Sequence, residues 1–101
     1  MATTPIAIYR GAATTNTATT LNTVPSGKTW IITNIVVTNT SASLQSYTLG
    51  LDGVSIANTV SISANDSVVI DMKQVLAASK TVTGGASATS VTFHISGVEI
   101  G

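Results

Sequence analysis

Thr29-Trp30-Ile31-Ile32-Thr33-Asn34-Ile35-Val36-Val37-Thr38-Asn39 is the stretch that decides the fold. Its β-branched residues are stiff at χ1 and suit a pleated surface, so the backbone preference is extended. Successive side chains of a strand point to opposite faces. Trp30 and Ile32 therefore share one face, which Asn34 interrupts, while Ile35 and Val37 load the other. Apolar groups on both faces mark a central strand, and the break at Asn34 points either to a β-bulge or to burial between two layers.

The same grammar continues downstream. After a loop at 40–43, Tyr47, Leu49 and Leu51 alternate with Ser46, Thr48 and Gly50, giving one buried face and one wet face. Asp52-Gly53 closes a hairpin onto Val54 and Ile56. Val60 and Ile62 continue the extended pattern, Asn65-Asp66 turns the chain, and Val68, Ile70 and Met72 share a face. Lys73 to Ala78 is the one helical candidate, a turn or two with Val75 and Leu76 capping an open end. Thr81 to Thr83 is extended and Gly84-Gly85-Ala86-Ser87 reads as a turn. Val91, Phe93 and Ile95 then alternate with polar residues until the apolar phase switches across Gly97 to Val98 and Ile100.

Upstream, Pro25-Ser26-Gly27-Lys28 has turn chemistry and Thr19 to Val24 is extended. Gly11 to Thr20 is a loop or weak edge strand with little apolar area to offset its ordering entropy, so it is expected to become fixed through assembly. Ile6 to Arg10 forms a strand with Pro5 where a missing N–H does least harm.

These signals give a single all-β domain over residues 1–101, an antiparallel β-sandwich or jelly-roll-like fold of about seven or eight strands with at most one short helix. A closed barrel is the rival. Residues 1–8 form an expected N-terminal arm, able to add a strand to a neighbouring subunit.

At 101 residues there is room for one core, and the absence of cysteine removes disulfides and thiolate metal sites. Lys and Arg total 4 against 4 Asp and Glu, with zero net charge. Arg10, Lys28, Lys73 and Lys80 are dispersed, so neither nucleic acid nor an anionic membrane surface is an expected partner. No apolar run approaches the ~18 residues of a spanning helix, and no basic-then-apolar leader is visible, so synthesis in a host cytoplasm is expected.

The residues offer little chemistry. His94 is the sole histidine and sits between Thr92 and Ser96 on a wet strand face. Asp52 and Asp66 read as turn residues, and Asp71 reads as the surface ion-pair partner of Lys73. No nucleophile elbow, calcium loop or phosphate cradle is present, so no enzyme, no metal and no cofactor is expected. Trp30 and Phe93 read as core, and Tyr9 is the aromatic left free. About three residues in ten are Ser or Thr, which makes the outer faces polar yet uncharged and cheap to bury against another copy.

Ile8-Tyr9-Arg10-Gly11, Thr23-Val24-Pro25-Ser26-Gly27-Lys28-Thr29, Ile32-Thr33-Asn34-Ile35-Val36-Val37-Thr38-Asn39-Thr40 and Phe93-His94-Ile95-Ser96-Gly97-Val98-Glu99 resemble segments of small structural proteins of tailed bacteriophages. The resemblance implies a non-enzymatic virion component. The leading expectation is a capsid decoration (cement) protein on the capsid exterior, a homotrimer bound to the major capsid protein and stabilising the shell. The alternative is a tail-fibre or baseplate accessory, or a receptor- or carbohydrate-binding module using Tyr9, Trp30 or Tyr47 as ring platforms. Ile6, Ile8, Tyr9 and Arg10 are the expected interface residues.

Overall fold

The computed structural model describes residues 2–101. In chain order they form β1 (Thr3–Ala12), β2 (Thr20–Thr23), β3 (Thr29–Asn39), β4 (Gln45–Leu51), β5 (Val54–Ile62), β6 (Ser67–Leu76), β7 (Thr81–Ala86) and β8 (Val91–Ile100). Two four-stranded sheets result, ordered β1-β8-β3-β6 and β2-β7-β4-β5, with antiparallel pairing throughout. This is the eight-stranded double Greek key of a jelly roll. The expected all-β sandwich is therefore observed.

The two readings of β3 are resolved in favour of the bulge. Register against β8 shifts between Ile32 and Asn34, where the adjacent β8 residues Gly97 and Ser96 oppose them. One extra β3 residue reverses the alternation, so Trp30, Ile32, Ile35, Val37 and Asn39 all face inward and are buried. Without the shift, Ile35 and Val37 would face outward. β3 is central in its sheet, as expected, with β8 and β6 on either side.

Gly97 makes this geometry possible. A Cβ there would stand 2.4 Å from the Ile31 carbonyl oxygen and 2.9 Å from Ile8 Cδ1. The missing side chain is what lets the bulged backbone and Ile8 close over β8. Phe93, Ile95 and Val91 from β8 meet Ile32, Ile35 and Val37 from β3 and Leu49, Val82 and Ile62 from the facing sheet, all essentially inaccessible. Each such side chain contributes about 1.5–3 kcal/mol through burial.

Asn39 is the single fully buried polar residue among those described. Its Nδ2 donates to the carbonyls of Ser43 (2.8 Å), Ile62 (3.2 Å) and Ser63 (3.2 Å), and its Oδ1 accepts from Ser41 N (3.0 Å) and Ser41 Oγ (2.8 Å). One amide thus ties the end of β3 to the loop before β4 and to the end of β5, which lies in the other sheet.

Three expectations are corrected. Lys73 to Ala78 is not helical, because β6 runs through to Leu76 and pairs Gln74, Val75 and Leu76 with Ile32, Ile31 and Trp30. Long-range pairing with β3 overrides the local preference. Gly84-Gly85-Ala86-Ser87 is not a turn either, since Gly84 to Ala86 complete β7. Gly85 is required because the 13–19 loop lies on it, and a Cβ would meet Asn16 O at 2.4 Å. That loop is fixed within the single chain. Ala86 N donates to Thr14 O (2.9 Å), Gly84 N to Thr19 O (2.9 Å) and Ala13 N to Val91 O (2.7 Å).

The expected arm is placed differently as well. From Thr3 onward its residues belong to β1 and pair with β8 of the same chain, Thr3 opposite Ile100 and Ala7 opposite Ser96. Met1 lies outside the described residues.

Gly97→Ala forces either the Ile31 carbonyl or β8 to move, at a cost of about 1–3 kcal/mol; calorimetry should show the melting temperature fall by roughly 4–8 °C per kcal/mol. Asn39→Ala strands buried carbonyls at about 1–3 kcal/mol each. Denaturant unfolding should show a lower midpoint with an unchanged slope.

Candidate functional site

The groups able to do chemistry are scattered by the fold. His94 lies exposed on the outer face of β8, opposite Arg10 on one side and Val36 on the other. Asp52 follows β4 in the tight turn with Gly53, with φ of 55° and 74° at the two residues, and pairs at 3.6 Å with the similarly exposed Lys80. Asp66 caps its turn by accepting from Ser67 N at 2.8 Å. Glu99 accepts the indole N–H of Trp30 at 3.1 Å, which satisfies the polar atom of a buried ring.

Asp71 and Lys73 lie two residues apart on the same face of β6. The ion pair expected between them is absent; among the described residues Lys80 and Asp52 form the only one. No group of three His, Cys, Asp or Glu residues able to hold a metal occurs among the described residues.

Tuned ionisation normally accompanies catalysis. Here the resolved shift belongs to Tyr47, whose phenol is pushed above its usual value by desolvation in the core. That is a packing effect. A folded-state value above the unfolded one gives stability that is whole below about pH 10 and is lost as pH rises further. The melting temperature should hold to about pH 9 and then fall, and the fall should flatten in Tyr47→Phe.

Ring platforms are not available in the expected form. Trp30 and Tyr47 are 4% and 3% exposed, which removes both from any sugar-stacking role. Tyr9 is half-buried and donates its hydroxyl to Ala12 O at 2.8 Å. The expected interface residues divide. Ile8 is a core residue at 4% exposure and has no surface to offer a partner. Ile6 and Tyr9 are partly buried against the core, and Arg10 is exposed on the outer face.

Surfaces remain. In the β2-β7-β4-β5 sheet the outward positions include Ser46, Thr48, Ser55, Ser61, Thr81 and Thr83, all hydroxyl side chains. A cleft of about 330 Å³ lies there, lined by Thr17, Thr48, Gly50, Ser55, Asn58 and Thr83 among others, with no charged or aromatic group. The outer face of the other sheet carries apolar groups as well, among Arg10, His94, Asp71 and Lys73. Val69 and Val75 are 61% and 70% exposed on β6, beside Val36 and Ile31 of β3. The sequence pattern placed Val75 in a short helix capping an open end and gave Val69 no role of its own.

The strand order and the two sheets define a jelly roll. No protein-family model matches the chain, and no curated protein is similar to it. Among solved structures, two of a pentameric capsid protein from metagenomic phage sequences align over 96% of this chain, at 21% identity and a TM-score of 0.38 each. This chain spans 59% and 60% of the length of those chains. A superposition this loose assigns no role.

Proposed function

We propose that this protein is a non-enzymatic structural component of a phage virion, a decoration protein that self-associates and binds the outside of the capsid shell. The observation that carries the reading is the combination of a jelly roll with an empty inventory of reacting groups. Jelly rolls serve as capsid, lectin and cupin domains, and a fold alone selects no function among them. A cupin requires a cluster of metal ligands, and none assembles among the described residues. A lectin stacks sugars on exposed rings, and Trp30, Tyr47 and Phe93 are buried. The capsid role asks only for surfaces that can be covered. The resemblance of Ile32 to Thr40 and of Phe93 to Glu99 to tailed-phage structural proteins favours the same role.

In this reading the protein sits as a trimer at threefold positions of the shell, with Ile6, Tyr9 and Arg10 on the β1 edge contributing to contacts and the major capsid protein beneath. Uncharged hydroxyl faces suit it. They hydrogen-bond across an interface without the desolvation cost that charged groups carry. Stabilisation of the shell comes from added buried area bridging neighbouring capsid subunits.

Particles assembled without the protein should rupture at lower temperature or under milder osmotic shock than decorated ones, and adding back purified protein should restore resistance. Equal resistance in both preparations would remove the reinforcing role. Antibody labelling of particles viewed by electron microscopy should place the protein on heads; label confined to tails would favour the accessory alternative.

A further inference from the structure

We propose that β6 is an isologous pairing edge, at which a second copy of this chain adds its own β6 antiparallel about a twofold axis through Met72. The inference is independent of the virion reading. β6 is an outer strand of its sheet, opposite in position to β1, so its free edge pairs with no other strand among the described residues.

The order of residues on β6 is self-complementary. With Met72 opposite Met72 of the second copy, Asp71 faces Lys73 of that copy and Lys73 faces its Asp71. Val69 faces Val75 and Val75 faces Val69. These four lie on the outer face, and the inward face sets Val68 against Leu76 and Ile70 against Gln74. Opposed residues in an antiparallel pair have Cβ atoms about 4.5–5.5 Å apart, close enough for opposite charges and for β-branched pairs to interact. A twofold interface has to be self-complementary in this way, because the same patch appears on both sides.

Two features otherwise without a partner are explained together. Val75 and Val69, at 70% and 61%, are among the most exposed large apolar side chains described. Asp71 and Lys73 are exposed neighbours that make no ion pair among the described residues. In the twofold register both valines are covered and both charges are paired. The shallow depression lined by Thr33, Asp71, Met72 and Lys73 lies on the other side of β6, where its register with β3 shifts.

The other edges are blunted. β1 holds Pro5 in its first half, carries Arg10 and shifts register between Ala7 and Tyr9. β2 has 4 residues. β5 has a self-matching sequence of its own, Val54-Ser55-Ile56 against Val60-Ser61-Ile62, but it breaks register with β4 twice and holds Thr59 at φ 52°. Short strands, proline and bulges are the devices that prevent edge pairing. β6 is 10 residues long, has no proline and alternates from Val68 to Lys73, its one irregularity being at Met72 and Lys73, which stand against Thr33 alone where the register with β3 shifts.

The test uses reversed charges at exposed positions. Asp71→Lys places lysine against lysine twice in the twofold pair, and Lys73→Asp places aspartate against aspartate. In sedimentation the wild-type chain should self-associate, and each variant alone should do so about tenfold more weakly or worse. An equimolar mixture should regain association near the wild-type strength, because the mixed pair restores both opposite-charge contacts. Circular dichroism should show both variants folded as the wild type. Wild-type protein that stays single at high concentration overturns the proposal, as do variants that associate like wild type or a mixture that fails to recover.

Register is read separately, since the chain has no cysteine. Under mild oxidation a mixture of Val69→Cys and Val75→Cys should form an intermolecular disulfide, and neither variant should form one alone. A cross-link in Val69→Cys alone would place the contact elsewhere and overturn the assignment.

Discussion

The closure of β3 over β8 at the bulge between Ile32 and Asn34 is the constraint on which the molecule rests. A regular strand through Trp30 to Asn39 would divide its large residues between two faces, and a sandwich of this size has only one interior. The extra residue turns Ile35, Val37 and Asn39 inward behind Trp30 and Ile32. Gly97 accepts the Ile31 carbonyl from one neighbour and Ile8 from another, so three strands of one sheet meet at a position with no side chain. From there the core follows: the inward phase of β8 sets Phe93 and Ile95 against the facing sheet, and Asn39 binds the end of β5. The bulge is thus a packing device, placed where a strand too apolar for one face must put most of its weight there.

Much of the fold was legible because strand periodicity is local. Tyr47, Leu49 and Leu51, and again Val91, Phe93 and Ile95, announce their buried face by alternation, and Asp52-Gly53 announces its turn through backbone preference. The failures all have a long-range cause. Gly84 and Gly85 look like a turn until the 13–19 loop is seen lying on β7. Lys73 to Leu76 looks helical until β3 supplies partners for Gln74, Val75 and Leu76. Gly11 to Thr20 looks too polar to order, yet its order comes from backbone bonds to β7 and β8, which no hydropathy pattern encodes. The sole histidine was legible as an outward residue of β8, since it alternates with Phe93 and Ile95.

The distribution of surface chemistry has one physical logic. One face of the sandwich is hydroxyl-rich, along Ser46, Thr48, Ser55 and Ser61, and the other sets the apolar Val69 and Val75 among a few charges of both signs, Arg10, Asp71 and Lys73. Neither type repels a copy of itself, and zero net charge removes the long-range opposition that keeps most small domains apart. What must then be controlled is where copies meet. Proline, a bulge and Arg10 on β1, shortness in β2 and broken register in β5 each make pairing costly without adding net charge.

Control at β6 is of another kind. A blunted edge excludes every partner, whereas an edge bearing one acid and one base two residues apart discriminates by direction and register. A parallel neighbour in register would set Asp71 against Asp71 and Lys73 against Lys73, and a one-residue slip in either direction would carry the valines off their partners onto the wrong face. The antiparallel arrangement about Met72 alone matches charge to opposite charge and valine to valine along the whole strand. An exposed pair of this type adds little affinity, about 0.2–1 kcal/mol, so the charges serve chiefly to select the arrangement, and the affinity rests on main-chain hydrogen bonds and on covering Val69 and Val75. A surface with so few charges can use two of them in this way because nothing nearby competes for them.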